Sequence, residues 1–308
     1  MSEVRRARCA FLTMTDRQGY TIDDELALAP LGERGILVDT LAWNQEGIDW
    51  SRYGLVVVRS TWDYQHRIEA FLARLAEIEA SGARLQNDLD LMRWNLDKRY
   101  LRDLAEQAVP TIPTLWLDRL PAGALASLFD ELQTEVMILK PQVGAGAHGA
   151  WKLTRDNLAG QASEIEAFYG DRTLMAQPFV PSVESEGEIS LIFFEGHFSH
   201  ALQKLPKTGD FRSQEEFGSR LTPLTPEPEL LSTAELALAT LSSPPLYARV
   251  DLLRSPTPQQ FWLIELELVE PSLYLSLDPQ APTRFAEAIT HQLLDRGPGR
   301  QGFPRDAD

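Results

Sequence analysis

Acidic residues interrupt two strongly apolar segments near the C-terminal end of the chain. The first segment contains Asp251, and the second, which follows a turn, contains Glu265 and Glu267. Side chains alternate between the two faces of a strand, so Glu265 and Glu267 point to the same face, and Asp251 joins them if the segments pair as a hairpin. Carboxylates on a half-buried surface repel one another and resist desolvation unless a cation lies between them.

A hard divalent cation is the natural partner for such a group of carboxylates. Mg²⁺ held by a few carboxylates together with phosphate oxygens is common in sites that use ATP. The three acids therefore predict a magnesium site. The alternative is that they lie on the solvated face of an antiparallel sheet, where they need no cation.

A glycine-rich loop upstream of these acids favours the first interpretation. An apolar strand predicted over residues 136–140 ends in Lys140, and the loop and a short Trp-Lys-Leu segment follow it. Gly144, Gly146 and Gly149 have the spacing of a dinucleotide-binding fingerprint, but that motif needs a helix to begin within the glycines. Strand, loop and strand are instead typical of a flap whose backbone N–H groups close over phosphates, with Lys140 as a point charge. The alternative is an ordinary glycine-rich hairpin.

Composition excludes several classes of partner. The chain has 308 residues, 44% of them hydrophobic, which is enough for one or two substantial cores. A net charge of −16 without a basic cluster argues against nucleic acid or an anionic membrane surface as the main partner. Cys9 is the only cysteine, so no intrachain disulfide can form, and no apolar run reaches the length of a membrane span. We therefore expect a cytoplasmic enzyme.

Hydrophobic periodicity predicts an α/β fold that begins with a small layered domain. We predict strands over residues 9–14, 36–41, 55–59, 136–140, 151–153, 189–194 and 198–202, with further strands near 115 and ending at 177. Helices are predicted over 23–34, 67–81, 95–107, 122–133, 159–168, 230–241 and 283–294. The tail over 297–308, rich in Gly, Pro and charge, is expected to be disordered.

Motifs spread over almost the whole chain resemble the ATP-grasp ligases of the glutathione-synthetase-like branch. They occur in the family's order: Arg-Ser-Thr-Trp-Asp-Tyr at 59–64, Asn-Leu-Asp-Lys at 95–98, the lysine strand and loop at 140–149, Gln-Pro-Phe-Val at 177–180, the basic segment at 204–214 and the acidic pair at 251–267. The motif at 59–64 together with Glu-Leu-Glu-Leu-Val-Glu-Pro at 265–271 is most similar to the D-cycloserine-forming subgroup, the O-ureido-serine cyclo-ligases.

The resemblance implies an α+β ATP-grasp fold in three parts. A pre-ATP-grasp domain on the substrate side covers residues 1–92, a small subdomain with the flap covers 93–180, and a large subdomain with the metal carboxylates covers 181–296. A homodimer is one expected assembly, since related enzymes are often dimers.

The resemblance also implies roles for individual residues. Nucleotide contacts fall to Lys98, Lys140, Gly144, Gly146, Gly149, Gln177, Phe179, Val180 and Glu184, with Glu186 as the alternative to Glu184. Arg212 and Lys204 are the expected catalytic residues at the transferred phosphoryl group, and Asp251, Glu265 and Glu267 are expected to bind Mg²⁺, as two ions, with Mn²⁺ as an alternative metal. Arg59, Ser60 and Asp63 are expected to face the substrate, although a structural ion pair is an equal alternative for Arg59 and Asp63.

Three residues near the predicted site stay open between two or more roles. Trp62 and Tyr64 line a pocket or belong to the core. Glu270 orients Glu265, binds substrate or is solvated. Two positions depart from the family pattern: Glu267 replaces a common asparagine, which adds negative charge, and Lys204 replaces an arginine, which removes a bidentate contact.

The implied reaction is ATP- and Mg²⁺-dependent activation of a small, amino-acid-like carboxylate as an acyl phosphate. An amine or similar nucleophile then displaces phosphate, and in a cyclo-ligase this nucleophile belongs to the same molecule. Two alternatives remain on the same scaffold: a small-molecule kinase and a non-catalytic nucleotide-binding regulatory protein.

Overall fold

Three β-sheets organise the chain, and the computed structural model describes residues 7–144, 146, 148–257 and 259–294. In chain order, the strands of this part are β1 (Ala7–Thr13), β2 (Ile36–Ala42), β3 (Leu55–Val58), β4 (Arg84–Gln86), β5 (Leu115–Leu117), β6 (Val136–Pro141), β7 (Trp151–Thr154), β8 (Leu174–Pro178), β9 (Glu188–Phe194), β10 (His197–Leu205), β11 (Arg220–Leu224), β12 (Tyr247–Arg254) and β13 (Phe261–Glu267).

Helices connect and cover these strands. The α-helices of the described residues are α1 (Leu28–Glu33), α2 (Ile68–Ala80), α3 (Leu89–Asn95), α4 (Tyr100–Glu106), α5 (Leu125–Leu132), α6 (Arg155–Tyr169), α7 (Ser182–Ser185), α8 (Pro228–Ala239) and α9 (Ala281–Leu294). Short 3₁₀ helices cover Asp24–Ala27, Trp50–Arg52, Tyr64–His66, Glu215–Phe217 and Leu275–Leu277. No α-helix in the described part of the chain is both long enough and apolar enough to cross a bilayer.

The first sheet is parallel and has the strand order β2-β1-β3-β4. Its central strand β3 is buried along its whole length, as the continuous apolar run of a parallel strand requires. The C-terminal helix α9 packs on this sheet: the rings of Phe11 and Phe285 are 6.1 Å apart, and Ile289 belongs to the same buried cluster as Cys9. The beginning and the end of the chain therefore share one core.

The other two sheets are antiparallel and have the orders β5-β8-β6-β7 and β11-β10-β9-β12-β13. The segment after the glycine loop is strand β7, which pairs with β6 as predicted. Strands β12 and β13 pair as the predicted hairpin and set Asp251 opposite Glu265. The predicted turn at Glu195 and Gly196, both with positive φ, joins β9 to β10. The α+β fold class is confirmed.

One predicted element needs correction. The helix predicted over 95–107 begins only at Tyr100, as α4, since Asn95 is the last residue of α3. Between the two helices, the Asp97 side chain accepts a hydrogen bond from the backbone N–H of Arg99 (2.9 Å) and stabilises a turn. The tail predicted to be disordered lies outside the described residues. The three sheets fall within 7–86, 115–178 and 188–267, and the exact domain boundaries stay predictions.

His200 on β10 gives the fold a pH dependence that can be measured. Its ring is 6% exposed, Nε2 donates to the carbonyl oxygen of Leu273 (2.9 Å), and Nδ1 lies 2.9 Å from Ser199 Oγ. Burial lowers the pKa of His200 below 6.5, and the positive charge of Arg284 lowers it further. The hydrogen bond to Leu273 and the negative charge of Asp278 raise the pKa but do not offset burial. The unfolded chain therefore binds the proton more tightly, and stability is lost as pH falls from 6.5 through the folded pKa.

We expect the wild-type melting temperature to fall more steeply than that of His200→Gln between about pH 7.5 and about pH 5, because glutamine does not titrate. Differential scanning calorimetry of both proteins checks this. Parallel curves would show that His200 does not contribute to acid sensitivity.

Candidate active site

A cavity of about 530 Å³ is lined by residues of the second and third sheets and by the segments 19–21 and 62–65 beside the first sheet. This volume lies within the usual range for small-molecule and cofactor sites. The predicted acids Asp251 and Glu265 and the predicted lysines Lys98 and Lys140 all line it. The sequence elements that predicted a phosphate and metal site therefore face one space.

Asp251, Glu265 and Glu267 form a compact carboxylate group on β12 and β13. One ligand oxygen from each lies within 4.8 Å of the others. Asp251 is 1% exposed and accepts a 2.5 Å hydrogen bond from Ser190 Oγ on the neighbouring strand β9. The group forms because the side chains of neighbouring antiparallel strands share a face at this register.

The pKa values of the three acids differ: those of Asp251 and Glu265 are lowered, whereas that of Glu267 is raised because the positive charge nearby is too little to offset burial. Burial would raise the pKa of Asp251, but Arg249 and Lys204 hold it below its usual value. Burial would also raise the pKa of Glu265, but the ammonium group of Lys98 holds it below its usual value. Burial raises the pKa of Glu267 to about 8; Arg249 opposes this, whereas repulsion from Glu265 and Asp251 adds to it.

This carboxylate group fits a hard divalent cation. Its donors are all oxygens, they converge within the span of one coordination sphere, and a further positive charge would lower the raised pKa of Glu267. A glutamate in place of the family's common asparagine is thus accommodated by Arg249, whose guanidinium forms an ion pair with Glu267.

Two lysines line the cavity beside the acids. Lys98 Nζ lies 2.7 Å from Glu265 Oε1 and donates to the carbonyl oxygen of Gly144 (3.0 Å), so it links the start of α4 to the glycine loop. Burial lowers the pKa of Lys98, but Glu265 more than offsets this and raises it. Burial lowers the pKa of Lys140, and no hydrogen-bond or ion-pair partner of its ammonium group occurs among the described residues. Lys140 is therefore available to an anionic ligand.

Lys204 is 3% exposed and lies between two carboxylates. Its Nζ forms an ion pair with Glu188 and lies 3.5 Å from Asp251 Oδ1. Burial opposes the charged form, but these two acids raise the pKa of Lys204 well above its usual value, so it remains protonated. Glu188 was not predicted as a site residue.

Arg249 is another site residue that the sequence analysis did not predict. It lines the cavity and binds both Asp251, with Nη2–Oδ2 at 3.0 Å, and Glu267. The sequence held a signal: Arg249 and Asp251 are two residues apart on one strand and so share a face.

The segment from Phe211 to Phe217 lines one side of the cavity. Arg212 lines the cavity, but its guanidinium binds Asp210 (Nη2–Oδ2 2.7 Å) and stacks 3.7 Å from the centre of the Phe217 ring. Ser213 Oγ donates to the Glu188 carboxylate, so this segment is tied to the ion pair of Lys204. Arg212 can contact a transferred phosphoryl group only if its guanidinium first leaves the carboxylate of Asp210.

The predicted nucleotide residues separate into two groups. Gln177, Phe179 and Val180 line the cavity, and Gln177 Nε2 donates to Thr114 Oγ1 (2.9 Å). Glu184 is not among the lining residues, because its carboxylate binds Lys152 Nζ at 2.5 Å. Its alternative, Glu186, binds Arg254 Nε at 2.6 Å. The ribose contact proposed for either glutamate is therefore not present in this arrangement.

The glycines of the loop also differ. Gly144 and Gly146 line the cavity, whereas Gly149 does not. Gly149 packs beside α6, where its carbonyl oxygen accepts a 2.7 Å hydrogen bond from the Tyr169 hydroxyl. Gly149 therefore anchors the loop to α6, and the phosphate contact expected of it stays a prediction.

Replacing Gly149 and Gly146 by alanine provides a matched test of this division. Both have positive φ, 74° and 61°, but a Cβ at Gly149 would lie 2.4 Å from Phe168 Cζ, whereas one at Gly146 would meet nothing within 4 Å. We expect Gly146→Ala to cost about 1 kcal/mol of unfolding free energy from the backbone conformation. Gly149→Ala should cost about 1–3 kcal/mol more from overpacking. Urea denaturation measures both, and equal losses would contradict the anchoring role.

The residues predicted to face the substrate do not line the cavity. Arg59 is 1% exposed, and its guanidinium binds Asp24 (Nε–Oδ1 2.9 Å) and the carbonyl oxygen of Pro271 (2.8 Å). Ser60 Oγ bonds Thr13 Oγ1, and Asp63 accepts from Trp43 Nε1. Arg59 therefore holds the first sheet to the segment after β13, and the substrate contact of Arg59, Ser60 and Asp63 stays a prediction.

Other residues of the same motif do reach the cavity. Trp62 and Tyr64 line it, together with Glu270. Trp62 Nε1 donates to the backbone oxygen of Glu270 at 2.8 Å. Tyr64 combines the two roles considered for it. It is 6% exposed and packs against Phe71 in the core, and it also borders the cavity.

Comparison with known proteins agrees with this geometry. Residues 9–87 match the family of the D-cycloserine synthetase DcsG N-terminal domain, and residues 122–249 match the ATP-grasp domain of prokaryotic glutathione synthetase. The cycloserine biosynthesis protein DcsG of Streptomyces lavendulae is 34% identical over 300 residues, which cover 91% of this chain and 97% of that protein. This chain belongs to the ATP-grasp ligases.

Further relatives show how far the likeness extends. Glutathione synthetase of Ralstonia nicotianae is 26% identical over 78% of this chain and 69% of its own. The crystal structure of D-cycloserine synthetase DcsG superposes with a TM-score of 0.81 at 32% identity, covering 93% of this chain and all of that one. D-alanine–D-alanine ligase from Bacillus anthracis (TM-score 0.64, 13% identity, 94% of this chain and 97% of that one) shares the fold.

Membership in the ATP-grasp ligases establishes the class of reaction. The protein is an ATP-dependent carboxylate–amine ligase, as the resemblance implied. Ligases of this family use ATP and Mg²⁺.

Proposed function

We propose that this ATP-grasp ligase activates the carboxylate of a small, amino-acid-like substrate and joins it to a nitrogen nucleophile of the same molecule. Similarity to DcsG over nearly the whole chain supports a cyclo-ligase. The observation that carries the proposal is the single cavity in which Lys98 and Lys140 meet Asp251, Glu265 and Glu267.

In this proposal Asp251, Glu265 and Glu267 hold Mg²⁺, as two ions, and Mn²⁺ is an alternative metal. When bound, the metal neutralises phosphate charge and so makes the γ-phosphorus accessible to an anionic carboxylate. Lys98 and Lys140 bind phosphate oxygens, Gly144 and Gly146 approach the phosphates with their backbone, and Gln177, Phe179 and Val180 border the base.

The basic residues at the other side of the acids act on the reacting groups. Arg249 is buried and its guanidinium is fixed by Asp251, so it offers a preorganised cation to the substrate carboxylate or to the phosphoryl group that it attacks. Lys204 is held protonated beside it and adds a point charge. Arg212 approaches the transferred group when it leaves Asp210.

Ring closure follows from the acyl phosphate formed in the first step. Its carbonyl carbon is a good electrophile, so the nitrogen attacks without a dedicated base, phosphate leaves with the electron pair of the C–O bond, and the nitrogen loses a proton. A nucleophile in the same molecule needs no second substrate site, since its effective concentration is already high.

Release of ADP from ATP and Mg²⁺ tests the proposal, with the enantiomers of serine, O-ureido-serine and O-aminoserine as acids and with hydroxylamine as an added external nucleophile. The expected product has the mass of the acid less one water and forms at a rate that does not depend on added amine. A stable product heavier by one phosphoryl group would identify a kinase. ATP binding without substrate-dependent ADP release would identify a non-catalytic protein.

The cytoplasmic location and the homodimer remain predictions. The use of a small-molecule substrate is supported by the cavity volume, which leaves limited room beside a nucleotide.

A further inference from the structure

Glu270 is a fourth carboxylate on the cavity wall, and it is separate from the metal group. It follows β13 and lines the cavity, and its carboxylate is close enough to the buried Tyr64 hydroxyl to add to the effect of burial in raising the pKa of that group. The ligand oxygens that converge within 4.8 Å come from Asp251, Glu265 and Glu267 and do not include Glu270. Its position therefore calls for a role other than binding the same ion.

Glu270 also differs from the other three acids in its ion pairing. Asp251 and Glu267 bind Arg249, and Glu265 binds Lys98. Over the described residues, no lysine, arginine or histidine nitrogen lies within 4.0 Å of the Glu270 carboxylate. A carboxylate that borders a cavity without a protein cation is suited to a cation supplied by the ligand.

Aromatic side chains line the same cavity as this carboxylate. They are Tyr20, Trp62 and Tyr64, and the rings of Tyr20 and Trp62 are 5.3 Å apart. The Trp62 indole is fixed by its hydrogen bond to the backbone oxygen of Glu270. One carboxylate with electron-rich ring faces is the chemistry that recognises an ammonium group.

We propose that Tyr20, Trp62, Tyr64 and Glu270 form a subsite for the free ammonium group of the substrate. The inference deepens the proposed function and rests on it: the substrate is a zwitterion whose carboxylate is activated beside Arg249 while its ammonium is bound by Glu270. N-acylated amino acids and simple carboxylic acids are then excluded, because they leave the carboxylate of Glu270 desolvated and unpaired.

Glu270→Gln tests the subsite, since it keeps the shape and removes the charge. The probes are O-ureido-D-serine and its N-acetyl derivative, with the L enantiomers alongside. We expect the wild-type enzyme to prefer the free amine, and Glu270→Gln to lower kcat/KM for it by about 100-fold, as loss of one partner of a desolvated charge pair does. The N-acetyl derivative and the KM for ATP should change little, and Glu270→Asp should retain the preference.

Glu216→Gln is the matched control. It removes the same charge from an exposed residue at the rim of the same cavity, so the preference for the free amine should persist. Equal losses for both probes in Glu270→Gln, or a wild-type enzyme indifferent to N-acetylation, would overturn the subsite.

Calorimetric binding of the free-amine probe, with a non-hydrolysable ATP analogue and Mg²⁺, separates failure of the subsite from failure of the proposed function. If the wild-type enzyme binds the probe without turning it over and Glu270→Gln does not bind it, the subsite is supported and the proposed ligation of this acid is wrong. Absence of wild-type binding and of turnover with every probe overturns both.

Discussion

Asp251→Asn is expected to lower kcat by about 100-fold to 1,000-fold, the loss that follows removal of one preorganised charged group at a transition state. Asp251 is the most buried of the three acids and contacts both Arg249 and Lys204. Asparagine preserves its shape but removes the charge that binds the metal and fixes the two cations. ADP release at saturating ATP and Mg²⁺ measures the effect.

The fold should survive this substitution, because Glu267 still pairs with Arg249 and Glu188 still pairs with Lys204. Circular dichroism checks that the fold is retained. The control is Asp39→Asn, which removes an ion-paired aspartate from β2, outside the cavity, where Asp39 binds Arg8 at 2.5 Å. Near wild-type turnover in Asp251→Asn would contradict the metal assignment.

Lys140→Met is expected to raise the KM for ATP by about 100-fold, since a buried cation that pairs with a ligand anion commonly contributes a few kcal/mol. The same substitution weakens ATP binding but should not lower the stability of the ligand-free protein. Burial lowers the pKa of Lys140 more than the nearby Glu265 carboxylate raises it, and no described residue forms an ion pair with Lys140, so its charge destabilises the ligand-free fold. Methionine removes that cost, and the melting temperature without ATP should rise or stay constant.

Lys98→Met separates this effect from a general loss of charge. Lys98 pairs with Glu265 at 2.7 Å, so its removal leaves a buried carboxylate unpaired and should lower the melting temperature. Lys207→Met, at an exposed residue outside the cavity lining, is the control for both. A fall in stability for Lys140→Met equal to that for Lys98→Met would show that Lys140 has a protein partner in solution.

The carboxylate group of Asp251, Glu265 and Glu267 could be predicted because alternation along a strand is a local property. Asp251, Glu265 and Glu267 needed only the two-residue period and one hairpin, and the structure has both. The glycine loop was predicted for the same reason, since the segment after it has the pattern of a strand. The fold class followed from the order of such local elements.

Contacts between distant residues set the limit of prediction. Arg59 was expected either to face the substrate or to form a structural ion pair; its partner is Asp24, and nothing near Arg59 in the sequence identifies that pair. Glu184 was assigned to ribose without knowledge that Lys152, on β7, would reach it. Arg249 was given no role, because its function depends on where Glu267 lies across the hairpin.

The packing of α9 on the first sheet has a consequence for biosynthesis. The strands of that sheet are made early on the ribosome, yet Phe285 and Ile289, which complete the core around Cys9 and Phe11, are made much later. The nascent N-terminal half therefore exposes an apolar surface until α9 leaves the exit tunnel. We expect this half to engage a chaperone during translation, and a chain truncated before α9 to aggregate.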